Sequence, residues 1–326
     1  MSSTPELSII IVNWRSAAFL RKCLASIFAN TKNLAFETIV VDNASFDGAD
    51  AVCAEYPLVQ YIQSNDNLGF AKANNLGFRH SKGEFVLLLN PDTEVIGDAL
   101  ATLVECMKAR PEVGIVGAKL FNSDMTIQTS CIQAFPTVLN QFLDTEFLRN
   151  RFPRSSFWGT WPLFSGQTEP SQIEVVSGAC LLIRRSVFEQ VGLFTENFFM
   201  YAEDVDLCYK VHRAGHKILY EGRAEVVHHG GQSSSKEPQS NFATVMTRES
   251  LHAFMAIHRG KTYAALFQFA TGVAACFRLL LLFGVCVLTL GQYQRQAVRV
   301  AVGKWKGVLR WSLGLETWVH RSARAS

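Results

Sequence analysis

Five short stretches carry side chains whose types and spacing could do chemistry. In VVDNAS, Asp42 stands at the end of a β-branched run. Open α/β sheets bind ligands outside the carboxyl ends of their strands. A carboxylate there can accept a hydrogen bond from the imide N–H of uracil or thymine, or it can cap the following helix. Asn67-Leu68-Gly69-Phe70, with Asn74 beyond it, joins a strand to a helix; Gly69 allows close backbone approach, and a helix N-terminus favours phosphate. The stretch is neither GxGxxG nor a Walker motif, so dinucleotide and ATP readings gain nothing from it. In LLLNPDTE, Asp92 follows a buried run through Asn90 and Pro91, a tripeptide that ordinarily stops a strand in a turn. In FFMYAEDVDLCYKVHRAG, Glu203, Asp204 and Asp206 crowd a helix start. Acids there are common dipole partners, but like charges in a partly apolar site raise at least one pKa, the poise a general base for a hydroxyl needs. In VVHHGG, His228 follows a strand and precedes glycines; such a histidine is usually structural, but its neutral imidazole can serve a metal.

The elements that must position these residues alternate. Strands are expected at 7–13, 37–43, 59–64, 84–90 and 114–120. Helices lie between them, one with Leu20, Leu24, Ile27 and Phe28 at helical spacing, one capped by Ser45 or Asp47, one over 70–79 and one opened by Gly97-Asp98. That rhythm predicts parallel strands with right-handed crossovers. Residues 134–172, rich in Phe, Trp, Pro and Ser, read as a long loop. Strand character returns at 173–185, a short helix runs from Asp204 to Ala214 with Gly215 as its C-cap, and KILYEG and AEVVHH read as two short strands.

The 326 residues suit one α/β domain of about 250 residues plus an appendage. With 48% apolar residues, global disorder is excluded. Eight cysteines without a CxxC pair or zinc spacing read as buried, reduced thiols. No signal peptide is evident, so the catalytic body is expected to face the cytoplasm. The net charge of +3 is uneven: 291–326 holds seven Lys or Arg and one acid, and the rest is mildly acidic. From Thr262 to Leu290 the chain is almost wholly apolar, longer than the roughly 20 residues that cross a bilayer. Arg278 interrupts the run, and an arginine at bilayer mid-depth costs at least ~2.5 kcal/mol, so a re-entrant or interface-lying helix pair competes with a span. Beyond it, Arg295, Arg299, Lys306 and Arg310 share one helical stripe beside Val298, Ala301, Val302, Trp305, Val308 and Leu309, a basic amphipathic helix suited to a membrane surface.

Taken in order, SIIIVNW, VVDNAS, NLGFAKANNLG, LLLNPDTE, VSGACLLIRRSVFEQVGLFTENFFMYAEDVDL and VVHHGGQS resemble family 2 glycosyltransferases, specifically a rhamnosyltransferase-like branch, over residues 6–235. The resemblance implies an α/β GT-A domain, Rossmann-like and binding a nucleotide-diphospho-sugar, at 1–258; the apolar run and the basic amphipathic helix make 259–326 a helical membrane-associating region. It implies a nucleotide-sugar donor, Mg²⁺ or Mn²⁺, and inversion at the anomeric carbon. It assigns Asp42 to the nucleobase, Asp92 and His228 to the metal, and the catalytic base to the Glu203-Asp204 pair, with Asp204 preferred. Asn13 and Trp14 would border base and ribose, Ser177 and Gly178 the donor sugar, and Asn67, Gly69 and Asn74 the donor cleft. The chain departs from the family's Asp-x-Asp pattern, having Asn90-Pro91-Asp92 with only the second carboxylate.

Two rivals are weaker. A sugar-1-phosphate nucleotidyltransferase would carry a Gly-rich, Arg-containing loop after its first strand, where VNWRSAAF has no glycine. An inactive sugar- or lipid-binding scaffold would not need Asp42, Asp92, Asp204 and His228 together. Nucleic acid is not an expected partner, since no recognition fold accompanies the basic tail. The expected acceptor is a lipid-linked saccharide at the cytoplasmic face of the cell membrane. The expected donor is dTDP-rhamnose, with UDP-hexoses as the alternative; the motifs do not specify an oligomeric state.

Overall fold

A computed structural model describes residues 4–230, 242–289 and 295–317. They fall into two compact units. One holds 4–135, 149–199 and 203–230; the other holds 136–148, 200–202, 242–289 and 295–317.

In the first unit, β1 (Leu7–Asn13) is buried along its whole length. Its side chains alternate between two layers. Leu7, Ile9 and Ile11 join the larger core with Leu20, Leu24 and Ile27 of α1 (Ala17–Asn30), while Val12 joins the smaller cluster with Ile39 and Val41. The crossovers continue through β2 (Phe36–Asn43), α2 (Ala49–Ala54), β3 (Val59–Ser64), α3 (Gly69–Arg79) and β4 (Phe85–Leu89). All four strands are parallel, in the order β3-β2-β1-β4. Helix α3 lies so close to β1 that a Cβ on Gly77 would sit 2.5 Å from the Ile10 side chain.

Beyond β4 the sheet departs from the all-parallel expectation. The chain forms β5 (Thr93–Val95), α4 (Ala99–Lys108) and β6 (Val113–Phe121). A later strand, β10 (Cys180–Arg184), inserts antiparallel between β4 and β6. Local periodicity marks a buried strand but not its neighbour.

The stretch read as a long loop is partly ordered. It contains β7 (Ile132–Gln133), α5 (Val138–Leu143), α6 (Glu146–Arg151), a 3₁₀ turn at Trp161–Phe164 and β8 (Ser171–Gln172). Thr137 and Asn140 cap α5 reciprocally, a signal that the surrounding aromatics and prolines obscure. β9 (Val175–Val176) stops before Ser177-Gly178 and pairs with β7. α7 (Arg185–Gln190) and α8 (Glu203–Arg213) follow, with Gly215 at φ +90° ending α8 as expected. KILYEG and AEVVHH form one strand, β11 (Lys217–His228), whose register against β6 shifts between Glu221 and Glu225. A bulge explains why the pattern reads as two pieces.

The second unit comprises α5, part of α6, α9 (Phe242–Arg259), α10 (Lys261–Leu288) and α11 (Arg295–Ser312). By length and composition α10 is able to cross a membrane. Six of the eight cysteines are buried as free thiols; Cys276 is exposed and Cys286 half-buried, both on α10. Residues 231–235 of the histidine motif, Leu290 at the end of the apolar run, and 318–326 of the basic tail lie outside the described residues.

Candidate active site

Strand register builds the first part of the site. Asn13, Asp42 and Gln63 are register partners at the carboxyl ends of β1, β2 and β3, so their side chains share a face. Asn13 Nδ2 donates to Asp42 Oδ1 at 2.7 Å and Gln63 Nε2 to Asp42 Oδ2 at 2.9 Å. The backbone N–H groups of Ser45 and Phe46 also donate to Oδ2, at 3.1 and 3.3 Å. Burial alone would raise the Asp42 pKa, but the donors from Asn13, Gln63, Ser45 and Phe46 outweigh it and hold the carboxyl below its ordinary value. Asp42 is therefore a fixed anion with an acceptor lobe left on Oδ1. Asn13 Oδ1 is buried without a hydrogen-bond partner among the described residues, an acceptor whose burial costs free energy until a donor meets it.

Neither Ser45 nor Asp47 caps the helix that follows it; the N-cap of α2 is Gly48. Asp47 Oδ2 instead accepts from the backbone N–H of Ala17 at the start of α1, and Ser45 Oγ from that of Arg15, both at 2.9 Å. These contacts tie the loop after β2 to the loop after β1. The two loops hold three non-glycine residues at positive φ, Arg15, Ala44 and Phe46, conformations that cost about 1–3 kcal/mol each and cluster at functional sites. Trp14 is half-buried, with the Arg15 guanidinium 5.3 Å from its ring centre.

The Asn67 segment proves to be scaffold. Asn67 Oδ1 accepts from Asn43 Nδ2 and from the N–H of Gly69, and Asn43 Oδ1 accepts from that of Leu68. The N–H of Phe70 donates to Phe199 O at 3.1 Å. The N–H groups of Leu68, Gly69 and Phe70 at the helix start are thus taken by protein acceptors. Gly69, at φ +75°, is where Phe199 O approaches; a Cβ there would lie 2.5 Å from that oxygen. Asn74 is buried, its amide donating to Phe70 O.

Asp92 and His228 meet. Asp92 follows β4, and His228 ends β11, which pairs with β5 through His228 opposite Thr93. His228 Nε2 lies 3.3 Å from Asp92 Oδ1 and 3.3 Å from Asn90 Nδ2. Gln128 sets the tautomer. Its Nε2 donates to Asn122 Oδ1 at 2.9 Å and to His228 O at 3.4 Å, leaving Oε1 to accept from His228 Nδ1 at 2.7 Å. The Nε2 lone pair then faces a carboxylate, an arrangement that a cation between them would satisfy. No cluster of three or more His, Cys, Asp or Glu suited to a metal occurs among the described residues. Two protein ligands fit a cation whose remaining positions go to phosphate oxygens and water. The adjacent His229 is structural: it pairs with Glu94 at 2.8 Å and Ser123 at 2.8 Å.

The acid cluster divides by function. Asp206 is fully buried and accepts from Thr195 Oγ1 at 2.6 Å, with Lys210 at 3.6 Å. Asp204 accepts from the N–H of Gly178 at 3.0 Å and from that of Val205 at 2.8 Å. Burial raises its pKa against these two donors. Glu203 is buried with Oε2 lacking a hydrogen-bond partner among the described residues. Burial first, then the neighbouring Asp204 charge, push its carboxyl up to about 8. Near neutrality Glu203 therefore keeps its proton, while the two backbone donors favour the charged form of Asp204 against its burial. Gly178 sits between Phe70 and the Asp204 Cβ, and Ser177 Oγ accepts from the N–H of Ala179. Because β10 is antiparallel to β4, with Cys180 opposite Leu89, Gly178 and Asp204 stand at the same sheet edge as Asn90 and Asp92.

The carboxyl edge of the sheet thus gathers a fixed anion, a carboxylate–imidazole pair and a buried pair of neighbouring acids. Gln63, Asn43 and Gln128 were not singled out in the sequence, and Asp47 was read there only as a helix cap. Only strand register could have found Gln63, and nothing local marks Gln128.

Residues 8–192 match the family described as Glycosyl transferase family 2. An N-acetylglucosaminyl-diphospho-decaprenol L-rhamnosyltransferase of Mycobacterium tuberculosis is 31% identical over 267 residues, covering 78% of this chain and 85% of that protein. The rhamnosyltransferase WbbL of Escherichia coli is 24% identical, covering 68% of this chain and 82% of that protein. Among solved structures, a mannosyltransferase from Pyrobaculum calidifontis in complex with GDP-Man and Mn²⁺ superposes with a TM-score of 0.54 at 18% identity, over 96% of this chain and 88% of that one. That likeness shows the fold. With its GT-A-like mixed sheet and these relatives, the chain belongs to glycosyl transferase family 2 and is a rhamnosyltransferase-like glycosyltransferase.

Proposed function

We propose that the enzyme transfers L-rhamnose from dTDP-L-rhamnose, with inversion, to a saccharide carried on a polyprenyl diphosphate at the cytoplasmic face of the membrane. The observation that carries the transfer chemistry is the acid pair at the sheet edge: Asp204 is held by the backbone N–H groups of Gly178 and Val205, beside a buried Glu203 whose Oε2 has no hydrogen-bond partner among the described residues. The relatives' printed activities support the sugar and the lipid-linked acceptor; a UDP-hexose donor is the alternative.

In this mechanism Asp42 and Asn13 receive the N–H edge of the pyrimidine, with Trp14 beside base and ribose. Ser177 and Gly178 border the donor sugar. Asn67, Gly69 and Asn74 shape the cleft by holding the α3 start against Phe199. Asp92 and His228 would hold Mg²⁺ or Mn²⁺, which when bound neutralises charge on the diphosphate leaving group. Asp204 takes the proton from the acceptor hydroxyl as that oxygen attacks the anomeric carbon in line, opposite the leaving nucleoside diphosphate. Residues 259–326 form the membrane-associating region, with α11 supplying Arg299, Lys304, Lys306 and Arg310.

The test is nucleoside diphosphate release from a panel of dTDP- and UDP-sugars, with and without a lipid-linked acceptor. Acceptor-dependent release from dTDP-rhamnose alone is expected. Release only from a UDP-hexose would overturn the donor, and equal activity on a short water-soluble sugar would overturn the acceptor.

Gln128→Leu removes the acceptor that fixes the His228 tautomer. It is expected to weaken Mn²⁺ binding about 10–100-fold without lowering the unfolding midpoint by more than a few degrees. An unchanged Mn²⁺ titration would remove His228 from the ligand set.

A further inference from the structure

Helix α10 has two unlike faces. At 100° per residue, Ala264, Phe267, Thr271, Ala274 and Arg278 lie on one side, covered by protein. Phe269, Val273, Phe277, Leu280, Phe283 and Leu288 lie on the other, with Leu280 and Phe283 each 68% exposed and Leu288 86% exposed. The position of Arg278 reverses its expected meaning. Its guanidinium donates to the carbonyl oxygens of Phe142 and Asp144, at 3.3 and 2.8 Å, and stacks 4.2 Å from the Trp305 ring centre. It is on the protein-facing side, so the outer face of α10 presents no charge.

The partner along that inner side is α11. Gln268 Nε2 donates to Ser312 O at 3.2 Å, Phe267 meets Trp311 at 6.2 Å, and Arg278 meets Trp305. The two helices are therefore antiparallel neighbours over most of the apolar run. α11 carries Arg295, Arg299, Lys304, Lys306 and Arg310 and no acid. Only Leu279–Leu288 extends past the Trp305 contact, about 15 Å of helix, half the roughly 30 Å of a hydrocarbon core. A spanning α10 would draw the cations of α11 into hydrocarbon, where each is strongly disfavoured.

We propose that α10 does not cross the bilayer: it lies along one leaflet, its outer face in the acyl region, while α11 meets anionic headgroups on the same side. This rests on the membrane-associated reading above and fixes its geometry. An apolar face beside a helix of five cations and no acid matches an anionic lipid surface better than a second copy of the chain, which would set like charges together.

The test uses the full chain with Cys276→Ser and Cys286→Ser, which removes the two accessible described thiols. A single reporter is then placed at Lys22→Cys in the catalytic unit or Gln296→Cys in α11, both exposed positions. Each protein is bound to sealed vesicles of phosphatidylcholine with phosphatidylglycerol and treated with a water-soluble maleimide. In-plane docking predicts labelling of both from outside, and partition that falls at least tenfold when phosphatidylglycerol is omitted. A Gln296→Cys thiol protected until the vesicles are lysed means a span and overturns the proposal, leaving membrane association intact. No partition into either vesicle, with a dimer in solution, overturns both. Leu280→Glu with Phe283→Glu is expected to weaken partition at least tenfold without changing donor turnover; unchanged partition counts against the outer face as the contact.

Discussion

Asp204→Asn is expected to lower sugar transfer by about 10²–10⁴-fold, the range for loss of a positioned general base, with donor affinity within about threefold of the parent. The two side chains have the same shape, so the N–H of Gly178 or Val205 keeps an acceptor and the cleft keeps its form. Transfer within tenfold of the parent would move the base elsewhere. The pH profile adds an independent check. Because burial raises the Asp204 pKa, the acid limb of kcat/KM lies above the ordinary aspartate range and rises with pH as the base ionises. Glu203→Gln leaves that limb in place with a smaller loss of rate, since Glu203 holds the proton rather than taking one. Stability separates the two carboxyls further. The Glu203 pKa is raised from 4.5 to about 8, so the folded state keeps a proton that the unfolded chain has already lost. Stability therefore falls as pH rises from about 4.5 through about 8. In Glu203→Gln that decline should be markedly smaller in denaturant unfolding at pH 5 and pH 8.5, the remainder coming from Asp204, whose pKa burial also raises. If the decline persists unchanged, the retained proton is not on Glu203.

Asp92→Ala should cost about 10³-fold in transfer, on the order of 4 kcal/mol of transition-state stabilisation. The reason is economy of ligands. The pair Asp92–His228 is separated by 3.3 Å and has no third acidic, histidine or cysteine neighbour of ligating type among the described residues. Removing the carboxylate leaves one neutral imidazole, too little to retain a hard divalent cation. The decisive readout is donor binding with and without Mn²⁺. In the parent, Mn²⁺ is expected to tighten donor binding; in Asp92→Ala the two titrations should coincide. Persistence of the full Mn²⁺ effect in the variant would place the metal on other groups.

Much of this was legible in the chain alone, for physical reasons that act locally. A run such as LSIIIVN has no polar side to expose, so it becomes a buried strand wherever it lies. Gly215 ends α8 because it takes φ +90° without strain. The stripe of Arg295, Arg299, Lys306 and Arg310 follows from helical periodicity, and α11 forms over that stretch. Asp42, Asp92, Asp204 and His228 could be named because strand ends and helix starts are visible as pattern breaks.

What the tertiary structure decided was which distant group each of these meets. The antiparallel insertion of β10 brings Gly178 to Asp204, 26 residues away. The bulged β11 brings His228 to Gln128, 100 residues away. Asp47, locally a fit cap for its own helix, bonds the start of α1 instead. Arg278, locally a charge that breaks an apolar run, turns inward to two carbonyls and a tryptophan. In each case the local sequence leaves several partners nearly equal in free energy. The choice falls to strand register and close packing, which exist only once the whole sheet and the helical unit have formed.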